Sequence, residues 1–511
     1  DAMLLLALES GSLSTRGPLS RCKSTVDVRP RFLWGLWSLV FDATGRLFEE
    51  FDPNALLYLR QITCLGKSLE LECSPNRRKA AVEKYHAIES AIVPPRLTWE
   101  DDDLHIGSVL LKDLSFSNSF GPRRDEDLFG DSKRGGGDEI DNLLRALDYT
   151  SRELAIGLGL FNPIAGEERP SAGWFRHGPG AVADGSERDF KYLFKHWPRN
   201  LGALFPYDWC GSHTVVPGIF PSVHEPPSKL MSVHKSAKAP RLIASEPTAH
   251  QWCQMKIATW LDQAFRSSLA GKYIDLHEQN LSRNLVKEAS IHRHLATLDL
   301  SDASDRLSCR HVESLLRTNH SLLEACHAVR TRWVVDRITQ PREFLRLKKF
   351  SAQGSALTFP IQSLFFLACC LAACGATSHG KMKSLEGRVR VYGDDLIVPA
   401  YAHAPLALLL THLGLKVNGE KSFSRSYFRE SCGMDCWKGY NVTPLRPKSL
   451  ATDTPEHCQA LLDTANNFYE RGLWSASSTL DSALQGREFR FPVVHCGSGV
   501  SSLTSFTGPS V

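Results

Sequence analysis

Asp394 and Asp395 stand side by side in RVRVYGDDLIVPA, residues 388–400, two bare carboxylates between apolar runs. A second acidic segment, HLATLDLSDASDRLS at 294–308, contributes Asp299 and Asp305. If Asp299, Asp394 and Asp395 converge, they cannot all stay ionised without a cation. Hard oxygen donors with room for phosphate select Mg²⁺, with Mn²⁺ as a substitute. Two such ions about 4 Å apart activate an attacking hydroxyl and stabilise a leaving oxygen in phosphoryl transfer. The competing reading of the Gly-Asp-Asp step is a solvated acidic turn.

Convergence requires particular elements. Val389 and Val391 alternate with Arg388 and Arg390 before Gly393, and Leu396, Ile397 and Val398 follow. This pattern predicts two strands joined by a tight hairpin, because glycine accepts the positive φ that the turn demands. Upstream, Ala296, Leu298 and Leu300 form the apolar face of a strand over 295–300, with Asp299 at its end. Ser301 reads as the N-cap of a following helix, and Asp305 falls in that helix's first turn. A dipole-stabilising role accounts for Asp305 equally well. An acid inside a half-buried strand needs a partner, so Asp299 is harder to dismiss.

Three further groups have the right chemistry to serve such a centre. Gly354, Thr358 and Gln362 recur every fourth residue and are expected on one helix face, offering close backbone approach and hydrogen bonds to a ribose or base. A buried helix with a polar seam fits the same spacing, and Pro360 is tolerable only near the start of that helix. Lys235, Lys238 and Arg241 form a basic comb suited to a triphosphate, or an ordinary solvated loop. Lys421 follows a turn expected at Asn418-Gly419 and is either a proton donor to departing pyrophosphate or a surface lysine.

The chain has 511 residues, enough for two to four structural units. Sixty basic residues against 56 acidic give a net charge of +4, so any nucleic-acid footprint must be local. Fourteen cysteines occur without a CxxC pair; Cys432 and Cys436 come nearest to ligand spacing but lack a second pair, which disfavours zinc and favours reduced thiols. The longest apolar run, LFFLACCLAAC at 364–374, has 11 residues and is too short to span a bilayer. The opening MLLLAL lacks a basic flank, so no export signal is read; because residue 1 is Asp, the native N-terminus is expected to be missing or processed.

Helical patterns run over 78–92, 141–158, 250–269, 302–333, 402–413 and 455–485, with strand patterns at 295–300, 388–392 and 396–400. Residues 117–141 read as an exposed, Gly- and charge-rich loop, and the last fifteen residues as a disordered tail. The fold class is α+β, with a small sheet at the working centre.

The order of basic comb, Asp299-x5-Asp305, Gly354-x3-Thr358-x3-Gln362, Tyr392-Gly-Asp-Asp and Lys421 resembles the palm of an RNA-dependent RNA polymerase. More narrowly, HGPGA (177–181), DLSDASD (299–305), VYGDDLIVP (391–399), FRESCG (428–433) and VTP (442–444) resemble the replicase β subunit of the positive-strand RNA bacteriophages, the Qβ-like leviviruses. The resemblance spans 177 to 446, and residues 1–170 carry little of it.

The resemblance implies a right-hand fold of fingers, palm and thumb, with a small antiparallel palm sheet packed on helices. Residues 1–80 would be an N-terminal extension, 81–290 fingers, 291–440 palm with 309–349 returning to the fingers, and 441–511 thumb and flexible tail. Asp299, Asp394 and Asp395 would bind two Mg²⁺ ions; Asp305, Thr358 and Gln362 would read the ribose 2′-hydroxyl; Lys235, Lys238 and Arg241 would hold the incoming NTP. Gln362 stands where many viral polymerases carry Asn. REFLRLKKF (342–350) would line the template channel or end a solvated helix.

The implied activity is replication of a single-stranded RNA phage genome, with template and nascent RNA bound, in the cytoplasm of an infected bacterium and without a membrane. Family resemblance also implies host elongation factors Tu and Ts as partners, with a ribosomal RNA-binding protein in some cases. A reverse transcriptase and an inactive RNA-binding module are the rival readings. Asp305 and Gly393 argue against the first, and the intact acidic set against the second.

Overall fold

The structure is a computed structural model that describes residues 1–13, 27–121, 137–163, 175–184, 191–211, 221–234, 239–350, 352–485, 493–495 and 502–505. Lys235, Lys238 and most of the 117–141 stretch lie outside the described residues. The chain is mixed helix and sheet, its sheets small, and divides into two compact units: 1–78 with 233–241 and 435–511, and 79–232 with 242–434.

In the first unit the two ends of the chain fold together. Helix Pro53–Cys64 begins on Asp52, whose carboxylate accepts the Asn54 N–H, with Pro53 in the first turn. Its Arg60 is 1% exposed and donates to Asp435 Oδ2 at 2.7 Å and to the Val442 carbonyl at 3.2 Å. A buried guanidinium needs such partners, so 53–64 is tied to 435–442. Helices Pro455–Glu470 and Trp474–Gln485 follow. The tail expected to be disordered contains a strand, Leu503–Ser505, paired in parallel with Val493–His495. Leu503 packs beside Leu461 and Leu484, and Asn466 bonds the backbone at Ser502 and Thr504.

The core of the second unit is helix Thr358–Ala373, in which every residue but Phe359 is buried. Its neighbours include helices Gly137–Gly157, Cys309–Leu316 and His403–His412. The apolar run at 364–374 is thus core, and among the described residues no helix is long and apolar enough to cross a membrane. Pro360 sits in the first turn, where no backbone donor is lost.

The expected helix over 302–333 is three short ones, Ala303–Arg306, Cys309–Leu316 and His320–Ala328, followed by strand Trp333–Asp336. Two local caps break it: Ser308 accepts the His311 N–H and Asn319 accepts the Leu322 N–H.

Two sheets matter here. Leu295–Leu298, Asp395–Pro399 and Arg390–Tyr392 form an antiparallel sheet with Asp395–Pro399 in the middle. A second sheet contains Ser228–Val233, Arg241–Ser245, Trp333–Asp336 and Phe344–Arg346. Within REFLRLKKF, Phe344 and Arg346 stand exposed on that edge strand, whereas Lys349 and Phe350 are buried.

Candidate active site

The acidic hairpin forms as the pattern predicts. Tyr392 pairs with Asp395, Val391 with Leu396 and Arg390 with Ile397, leaving Gly393 and Asp394 as a two-residue turn. Gly393 has φ 63°, and a Cβ there would lie 2.6 Å from Phe359 Cε2. Its N–H donates to Ser363 Oγ at 3.1 Å, and Ser363 in turn donates to the Phe359 carbonyl. The turn is therefore seated on the first turns of helix Thr358–Ala373, where Gln362 is also buried.

The neighbouring strand brings Asp299 to the same place. Leu298 pairs with Leu396 at the end of the ladder, so Asp299 and Asp395 are the residues that flank this last pair, close enough for the charge of one to act on the other. Burial first, then the charges of Asp394 and Asp299, push the Asp395 carboxyl up to about 6. Its Oδ2 accepts the Cys432 N–H at 3.2 Å. Among the described residues no three His, Cys, Asp or Glu side chains form a preformed metal cage. The donor chemistry nonetheless fits a hard divalent cation, since three clustered carboxylates raise one another's proton affinity until positive charge arrives.

Asp299 is oriented from its other side by residues 416–423. Leu300 and Ser301 pair with Val417 and Lys416, and Phe423 bridges Thr297. This pairing keeps Ser301 in a strand; Asp302, at φ 56°, takes the expected cap position without a capping bond. Asn418 Nδ2 donates to Asp299 Oδ2 at 2.8 Å, and the Asp299 N–H donates to Ser422 Oγ at 3.3 Å. Lys421 Nζ lies 3.7 Å from Asp299 Oδ2 and 3.9 Å from Glu430 Oε2. Burial works against its charge, but the carboxylates of Glu430, Asp299, Asp395 and Asp394 outweigh burial and raise its pKa.

FRESCG supplies the support behind these groups: Glu430 for Lys421, the Cys432 amide for Asp395, and Arg429, wholly buried, donating to the Leu295 carbonyl at 2.7 Å. Asn418, Ser422 and Glu430 were not assigned roles from sequence. Their only signals were the Asn-Gly turn and the unexplained FRESCG segment.

The remaining expected residues are placed differently. Asp305 Oδ1 accepts from Lys349 Nζ at 3.0 Å. Thr358 Oγ1 donates to the Ala352 carbonyl at 2.7 Å, so its proton serves the loop before the helix. Gly354 lies outside that helix, correcting the shared-face expectation: it has φ 126°, and a Cβ would meet the Ala244 carbonyl oxygen at 1.9 Å. The backbone it admits is that of strand Arg241–Ser245, whose Ala244 N–H donates to Gln353 O. Arg241 opens that strand, exposed. HGPGA is tied nearby: Ser245 Oγ donates to Ala181 O, and His177 Nδ1 lies 3.2 Å from Gln251 Oε1.

An acidic hairpin, an adjacent acidic strand and a lysine supported by a second acid define a candidate nucleotidyl-transfer centre. The model of the family "RNA replicase, beta-chain" matches residues 220–464, which include all of these groups. The RNA-directed RNA polymerase subunit beta of Enterobacteria phage SP is 33% identical over 218 residues, 42% of this chain and 35% of that protein. That of Escherichia virus Qbeta is 33% identical over 254 residues, 49% of this chain and 40% of that protein. The chain thus spans 35–40% of the length of these relatives. A solved structure, the BmCPV RNA-dependent RNA polymerase at elongation state, aligns with TM-score 0.43 and 11% identity over 73% of this chain and 35% of that one, too slight a likeness to bear on the assignment. Over residues 220–464 this chain is therefore similar to the RNA replicase beta-chain family.

Proposed function

We propose that this chain is an RNA-directed RNA polymerase that replicates a single-stranded RNA phage genome by template-directed nucleotidyl transfer. The observation that carries this reading is that Asp299, Asp394 and Asp395 gather where the Leu298–Leu396 pair meets the Gly393-Asp394 turn, in the stretch that matches the family. Divalent ions held by Asp299, Asp394 and Asp395 supply activation of the 3′-hydroxyl and neutralisation of phosphate charge. The chain's own residues do the rest. Asn418 and Ser422 orient Asp299, the Cys432 amide orients Asp395, and Lys421 stays protonated to give its proton to departing pyrophosphate.

Asp305 reads the ribose 2′-hydroxyl, with Gln362 under the turn. Lys235, Lys238 and Arg241 hold the triphosphate on the strength of sequence alone. Fingers, palm and thumb, the palm lying within 291–440, and host elongation factors Tu and Ts belong to the same reading, as does the host cytoplasm.

The test is labelled-NTP incorporation on single-stranded RNA with Mg²⁺ or Mn²⁺, with and without a bacterial translation-factor extract. Wild-type incorporation that is lost in Asp394→Asn and Asp395→Asn supports the reading. Equal activity in wild type and both variants overturns it.

A further inference from the structure

A lysine with no assigned role stands behind the residue proposed to read the sugar. Lys349 is 0% exposed, yet its ammonium is surrounded by groups that suit a cation. Asp305 Oδ1 lies 3.0 Å from Nζ, Glu89 Oε2 3.5 Å, and the centroid of the Tyr85 ring 3.5 Å. A buried ammonium persists only when paired in this way, and the ring face adds to the pairing.

The lysine is itself fixed. Glu89 Oε1 accepts the backbone N–H groups of Lys348 and Lys349, and Arg330 donates to the Lys349 carbonyl. Glu89 is 2% exposed and sits on helix Pro75–Ala91 with Lys84 and Tyr85. Lys84 reaches Asp302 at 2.7 Å, so one helix and one buried lysine grip both acids of the four-residue turn Ala303–Arg306 and its entry. Burial, then the nearby charges of Asp305 and Glu89, hold the Tyr85 hydroxyl protonated.

Asp305 retains partial exposure, 20% of its side chain, and among the described residues its Oδ2 has no partner. One carboxylate oxygen is committed inward and the other left outward. A short helical turn cannot impose this by itself, because a carboxylate rotates freely about a broad, two-fold terminal torsion.

We infer that Lys349, braced by Glu89, is a positioning residue that locks Asp305 with one oxygen outward, and so sets discrimination between ribonucleotides and 2′-deoxyribonucleotides. The inference rests on the reading of Asp305 as the sensor of the 2′-hydroxyl. A site built around a substrate hydroxyl rejects an analogue lacking it because its own polar group goes unpaired. That rejection weakens when the polar group can turn to another partner.

The experiment measures incorporation of ATP and 2′-dATP on a primed RNA template by the full chain. The variants are Lys349→Met, Asp305→Ala and the pair of both. Because Lys349→Met leaves buried Glu89 and half-buried Asp305 without their cation, the charge-balanced Lys349→Met/Glu89→Gln is made beside it, and thermal unfolding reports folding.

The expected result is a fall in the ATP-to-dATP ratio of roughly tenfold or more in both lysine variants, with ATP still incorporated. Asp305→Ala is expected to fall as far, and adding Lys349→Met to it to cause no further loss, as for residues acting through one another. Folded lysine variants that discriminate like wild type, while Asp305→Ala does not, overturn the positioning role and leave Asp305 as sensor. An Asp305→Ala that discriminates like wild type overturns the reading beneath it, as does a wild type that incorporates neither nucleotide.

Discussion

Asn418 Nδ2 donates to Asp299 Oδ2 at 2.8 Å, across the pairing of 300–301 with 416–417. The amide fixes one carboxylate oxygen and so fixes the direction of the other. Partners of this kind alter ligand affinity by roughly 10–100-fold when removed. Asn418→Ala is therefore expected to raise the Mg²⁺ concentration for half-maximal incorporation by that order, with an unchanged far-UV spectrum. A Mg²⁺ titration that overlays the wild-type curve removes Asn418 from this role.

Two glycines carry the backbone into its working shape, and they differ in what a methyl would strike. At Gly393 it meets the ring of Phe359, which can shift, and φ 63° costs a non-glycine residue about 1–2 kcal/mol. At Gly354 it meets the backbone carbonyl of Ala244 at 1.9 Å, at φ 126°. Gly354→Ala should lower the urea midpoint more than Gly393→Ala. Phe359→Leu should restore stability to the second variant only. Equal losses in the two glycine variants, measured by urea unfolding, contradict this ranking.

The same two glycines divide what the sequence reveals from what it conceals. The Gly393 hairpin was legible because alternation, glycine and an apolar run are local signals. Gly354 was misplaced because a four-residue spacing is identical in a helix and in the loop before one; only the distant Ala244 backbone distinguishes them. Ser301 was misread as a cap for a similar reason, since its strand exists through pairing with Lys416. The breaks within 302–333 were visible in principle at Ser308 and Asn319, both good caps before apolar residues. Lys349 was hidden, because a lysine in a basic run reads as exposed unless the acids that pair with it are known.

His311 should make the fold acid-sensitive. Its ring accepts the Ser308 N–H at Nδ1, approaches the Leu413 carbonyl with Nε2 at 2.9 Å, and stacks on Phe120. This is the neutral tautomer with its donor at Nε2. Burial pushes its pKa down to about 4, and that of His327 likewise. Between pH 6.5 and 4 the unfolded chain takes up a proton that the folded chain refuses. Stability is therefore full above 6.5 and lost as pH falls toward 4, on the order of 3 kcal/mol for His311 across that window. Urea unfolding at pH 7 and pH 5 should show a smaller acid loss in His311→Gln than in wild type. An identical loss in both removes His311 as a source.

Lys421 can act as proton donor or as fixed charge, and arginine separates the two. Its ammonium is 3.7 Å from Asp299 and 3.9 Å from Glu430, so either Lys421→Met or Lys421→Arg disturbs the same pair of acids. Arginine keeps the charge but does not release a proton in proteins. A lost general acid costs roughly 10²–10⁴-fold in rate. If Lys421 donates to pyrophosphate, Lys421→Arg falls with Lys421→Met into that range, while NTP concentration for half-maximal rate changes little. If its contribution is charge alone, Lys421→Arg stays within about tenfold of wild type and only Lys421→Met fails. Single-turnover incorporation at saturating NTP reads the difference directly, because it isolates the chemical step from template binding and release.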